Sequence, residues 1–178
     1  MPECIFCEGD GPDLPSDCEI CPECGTPPFS GMMFDPKRKE EAERLEQEGN
    51  LVEAYSILND EWKVHTDHDY FDVEMAEKIE MWIENLFESH PVMVEQKVEF
   101  CLEKMSLLHF HGAHNEGLEA AEKAMKIARD ANRPDLELHA LEMHGSIQSQ
   151  RCGGIENMPQ YEDFSNYKKE IEGRIEDS

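Results

Sequence analysis

From residue 36 onward the chain repeats one signal: apolar residues three and four positions apart, interrupted at short intervals by glycine or proline. That period puts the apolar side chains on one stripe of an α-helix, whereas a strand would need alternation. The punctuation then has to fold each helix back onto the one before it. Asp35-Pro36 offers a cap and a first helical proline, and KRKEEAERLEQE runs from Lys37 toward Gly49. Asn50 caps a second helix carrying Leu51, Ala54, Tyr55, Leu58 and Trp62. A third, from about Asp69 to Ser89, places Met75, Ile79, Trp82, Ile83 and Leu86 in register before His90-Pro91 breaks it. A fourth runs to about His111 with Val94, Val98, Cys101, Leu102, Met105 and Leu108, and Gly112 ends it. EGLEAAEKAMKIARDA, from Glu116, is a fifth with a small-residue face. Arg133-Pro134-Asp135 starts a sixth with Leu138, Leu141 and Ile147. Cys152-Gly153-Gly154 makes a loop, and Pro159 opens a seventh with Phe164, Tyr167, Ile171 and Ile175. The expected fold of 35–178 is mainly α, about seven antiparallel helices with no strand after residue 35.

Two of these segments are similar to the tetratricopeptide repeat. GNLVEAYSIL, from Gly49, has that family's glycine opening the second helix of a hairpin and an alanine five residues later. GAHNEGLEAAEKAMKIA, from Gly112, has the glycine in the same place, Gly117 where the alanine belongs, and Ala121 and Ala124 beyond it. His144-Gly145 resembles the start of a further repeat. The family's tryptophan and proline positions are mostly unmatched, and the glycines are not spaced at a clean multiple of its period. The resemblance implies an α-solenoid or bundle over 35–178 that presents a surface to a peptide or another protein, and it implies no activity.

The first 34 residues obey a different rule. Five of the seven cysteines fall there, as Cys4-x2-Cys7 and, after thirteen intervening residues, Cys21-x2-Cys24, with Cys18 three residues ahead of the second pair. Two thiolates at this spacing bind one ion from a single turn, and a second pair completes a tetrahedron. Gly9 and Gly25 follow the pairs and allow the sharp turns that such knuckles need. CIFCEG and CPECG resemble the two knuckles of a zinc ribbon, each at the tip of a small β-hairpin. The resemblance implies one structural Zn2+ held by Cys4, Cys7, Cys21 and Cys24. So short a segment, with Ile5, Phe6, Leu14, Ile20 and Phe29 for a core, needs such a staple to fold. Cys18 is left over. With Cys21 and Cys24 it looks like the opening of an iron–sulfur motif, but no fourth cysteine and proline follow. It is a spare thiol or an alternative ligand, and it keeps open a redox or metal-transfer reading of the cluster.

Charge narrows the partners. Forty-one acids face sixteen Lys and Arg, a net charge of −25. Nucleic-acid binding runs on cations that neutralise phosphates, and Met1–Phe34 has none, against Glu3, Glu8, Asp10, Asp13, Asp17, Glu19 and Glu23. The zinc-ribbon fold often serves nucleic acid, but these residues repel it. A protein partner with a basic contact segment is the complementary expectation, with self-association as a second possibility. No basic-then-apolar leader opens the chain and no apolar run reaches bilayer length, so the sequence predicts a cytoplasmic chain without a membrane partner.

Other constellations carry less. HTDHDYFD, from His65, gathers possible metal ligands but sits where one helix ends and the next begins, and reads as a solvated turn. His109, His111 and His114 surround Gly112, where histidines suit a helix C-terminus, and His139 and His144 lie further on. Cys101 belongs to an apolar stripe, Cys152 precedes two glycines, and no phosphate loop, nucleophile elbow or zinc-protease motif is present. The sequence therefore reads as a non-enzymatic adaptor: a zinc ribbon with linker over 1–34, and a tetratricopeptide-like helical domain over 35–178.

Overall fold

A computed structural model of the chain describes residues 36–66, 72–158 and 161–176. Among the described residues every regular element is helical: α1 (Pro36–Gln47), α2 (Leu51–Thr66), α3 (Val73–Ser89), α4 (Val94–Phe110), α5 (His114–Asp130), α6 (Pro134–Cys152) and α7 (Tyr161–Glu176), with a single 3-10 turn at Ile155–Asn157. The helical expectation holds there, and the zinc-ribbon hairpins fall outside the described residues. The chain forms two compact units, Met1–Ile83 and Glu84–Ser178, so the boundary falls within α3.

In the first unit α1 packs on α2, and Ala42, Ala54, Tyr55, Leu58 and Trp62 are buried, as are Ala76, Ile79 and Ile83 of α3. Polar contacts pin the same faces. Arg38 pairs with Glu61 at 2.9 Å, and the Lys39 ammonium stands 5.1 Å from the centre of the Trp82 ring. The third helix starts later than its apolar pattern suggested. The Asp72 carboxylate accepts the Met75 N–H at 3.1 Å, which caps the helix and makes Val73 its first residue.

The second unit is a chain of neighbours. Helix α4 packs on α5, α5 on α6 and α6 on α7, and α4 also touches α6 across the hairpin. Close crossings need small side chains, and Ala121, Ala124, Ala128 and Ala140 are fully enclosed, surrounded by Val98, Leu102, Met105 and Ile147. At Gly117 even a methyl group would lie 3.1 Å from the Met105 carbonyl oxygen of α4. At Gly145 it would strike the Phe164 ring of α7.

One turn recurs at Gly49, Gly112, Asn132 and Gly153, each with positive φ. In each, the N–H of that residue donates to the carbonyl three back, and the next N–H to the carbonyl five before it: Gly112 to His109 and Ala113 to Leu108, or Asn132 to Arg129 and Arg133 to Ala128. These bonds satisfy the orphan carbonyls of the ending helix. At three of the turns, the carbonyl of the residue after the left-handed one accepts the first bond of the next helix, as Ala113 does from Gly117. At these three turns only three residues separate one helix from the next.

Candidate functional site

The four predicted zinc ligands, Cys4, Cys7, Cys21 and Cys24, lie outside the described residues, as does Cys18. Among the described residues no group of three or more His, Cys, Asp or Glu is placed to hold a metal ion. Cys101 is a buried free thiol, as its place on an apolar stripe predicts, whereas Cys152, expected to be exposed before two glycines, is half-buried.

One concavity lies within the second unit. A cavity of about 310 Å3 opens between the end of α3, the first half of α4 and α5. Its floor is apolar: Phe87, Phe100, Cys101 and Ile127, with the two phenyl rings edge to face at 6.2 Å. Its rim is charged. Glu84 and Lys123 face each other at 3.5 Å, and the Lys97 ammonium stands 5.8 Å from the centre of the Phe87 ring. Glu88 completes the lining. Periodicity explains the shape: Phe87 on α3 and Phe100 on α4 continue their helices' buried stripes, and the Lys and Glu positions fall at the edges of those stripes. Such a site can enclose one apolar side chain and check the charge of its neighbours. It offers no nucleophile-and-base pair.

Two polar clusters stand apart from it. Glu137, in the first turn of α6, has no exposed surface, yet carries a charge. Arg129 of α5 reaches its Oε1 at 2.8 Å, Arg174 of α7 its Oε2 at 2.8 Å, and the Tyr167 hydroxyl donates to Oε1 while accepting from Arg129. Burial pushes the Glu137 carboxyl up, but the Tyr167 and arginine hydrogen bonds outweigh it and hold the group below the usual carboxylate range. Burial and the Glu137 carboxylate raise the Tyr167 phenol. The cluster joins three helices, and its partners are 8, 30 and 37 residues from Glu137.

The second cluster is histidine. Nδ1 of His109 and Nδ1 of His114 are 2.9 Å apart, and Nε2 of His109 meets Oε1 of Gln150 on α6 at 3.1 Å. His111 is exposed beside them, with its ring edge-on to the exposed Phe110. His139 is exposed on α6, while His144 is half-buried and faces Glu122 at 3.9 Å. Burial lowers the His144 imidazole, and Glu122 only partly offsets it.

His65 departs from the expected solvated turn. Helix α2 runs on to Thr66, whose hydroxyl bonds back to the Trp62 carbonyl at 2.8 Å, and His65 is wholly buried with neither ring nitrogen hydrogen-bonded. No described helix is long and apolar enough to cross a membrane. Neither a family of known proteins, nor a curated protein, nor a solved structure matches the chain.

Proposed function

We propose that the chain is a non-enzymatic adaptor that binds another protein through its helical part, with a structural Zn2+ held by Cys4, Cys7, Cys21 and Cys24 as the staple of its N-terminal segment. The observation that carries this reading is the neighbour-to-neighbour packing of α4 to α7, with small residues at the crossings where the tetratricopeptide resemblance puts them: Gly117, Ala121, Ala124 and Gly145. Repeats of that kind are scaffolds for recognition. The cavity walled by Phe87 and Phe100 supports it too, as a seat for an apolar anchor residue. The net charge of −25 favours a partner segment rich in Lys and Arg.

Fluorescence anisotropy with labelled peptides tests the reading. A Leu or Phe flanked by Lys and Arg binds, and weakens with salt; acidic peptides and duplex DNA do not bind. Equal indifference to basic and acidic peptides at low salt overturns it. Metal analysis tests the staple: the purified chain carries one colourless zinc, whereas a visible iron chromophore or a reversible redox titration returns the cysteines to redox or metal-transfer chemistry.

A further inference from the structure

His109 lies in the last turn of α4 and His114 opens α5, and the turn at Gly112 brings their rings together. The two Nδ1 atoms are 2.9 Å apart, the ring centroids 4.7 Å, and the rings are tilted by 49°. Gln150 presents Oε1 to Nε2 of His109. In the tautomer that suits this carbonyl oxygen, Nε2 carries the proton of the His109 ring and Nδ1 keeps its lone pair. His114 then donates from Nδ1 to it.

The separation has a second meaning. A straight hydrogen bond of this length would hold the centroids over about 5 Å apart; at 4.7 Å the ring axes depart from the line joining the two nitrogens. Two imidazole nitrogens about 2.05 Å from one ion and about 90° apart stand about 2.9 Å from each other, whereas a tetrahedral angle would need about 3.3 Å. The outer contact fits as well, because a metal-binding histidine commonly donates its other N–H to a carbonyl oxygen that fixes its tautomer and orientation.

The geometry points to a two-imidazole site, Nδ1 of His109 and Nδ1 of His114, for a divalent first-row ion that favours square-planar or octahedral angles, such as Ni(II). Gln150 is its positioning residue. The ion takes the place of the shared proton: His114 releases its Nδ1 proton to water and takes one on Nε2, so the ring stays neutral and only its tautomer changes. Both rings are half-buried, which leaves the remaining coordination positions to water. Arg151, bonded to Asn115 Oδ1 at 3.3 Å in the same corner, opposes the ion, and the chain's net charge of −25 favours it. The site uses none of the cysteines and does not depend on the adaptor reading.

The test uses the full chain with zinc added first to occupy the thiolates, then titrated with Ni(II) while the imidazole NMR signals are followed. The paramagnetic ion broadens His109 and His114 first, ahead of the exposed His139. His114→Asn raises the nickel needed to broaden His109 by about tenfold or more, and Gln150→Leu does so by about tenfold. If the His109 and His114 signals stay sharp through about ten equivalents, or broaden only together with His139, the pair is a hydrogen bond and no metal site. The titration of the unsubstituted chain decides this alone, even where a variant is unstable.

Discussion

Glu137 is a fully buried charge at the junction of three helices of the second unit. A buried carboxylate is costly unless every lone pair is met, and here two guanidiniums and a phenol meet them. Glu137→Ala should lower unfolding stability by about 2–3 kcal/mol in urea melts, while Arg133→Ala, whose partner Asp135 is exposed, should change it by less than about 1 kcal/mol. The same groups set the acid limb. His144 is depressed below its ordinary 6.5 by burial, so the unfolded chain takes up its proton first and stability starts to fall as pH drops through that value. Glu137 is held below its ordinary 4.5, so its contribution is present above that value and is lost as pH falls through the folded pKa. Melting temperature against pH should therefore decline in two stages. His144→Leu should remove the upper stage, and an unchanged profile in that variant would assign it elsewhere.

At the scale of the element, what matters is how closely two helices approach. Gly117→Leu forces α5 off the Met105 carbonyl and should cost about 3 kcal/mol or more, whereas Gly173→Ala, in α7 with open space around it, should gain about 0.5–1 kcal/mol. Thermal melts followed by circular dichroism check both signs. This also marks what the sequence discloses. The helices and the small face of α5 are written locally, in spacing that repeats every turn. The α5–α6 turn was less legible, since Asn132 takes the left-handed position that glycine fills at the other turns, leaving Arg133-Pro134 as the visible signal. The Glu137 cluster was not legible at all. Its members are ordinary charged residues at separations of up to 37, which have meaning only once α7 lies on α6. The histidines around Gly112 were visible as a group, but which two meet depends on the hand of the turn.

For the molecule as a whole, the adaptor reading separates a metal-stapled segment from helices that carry their own core. Cys21→Ser or Cys24→Ser should release zinc while the helical circular dichroism signal stays close to that of the unsubstituted chain. Loss of both together would join the two in one folding unit. Cys18→Ser should keep the metal. The turns themselves limit how such a chain can change. At the turns of Gly49, Gly112 and Asn132 the left-handed residue that ends one helix is followed directly by the one whose carbonyl starts the next, which leaves no slack to absorb an insertion. One extra residue after Gly112 would rotate the α5 stripe by about 100° and carry Gly117, Ala121 and Ala124 away from α4. At these turns the array can lengthen by a whole hairpin, but hardly by a single amino acid, so natural variants should keep the length of these three turns even where they differ in number of helices.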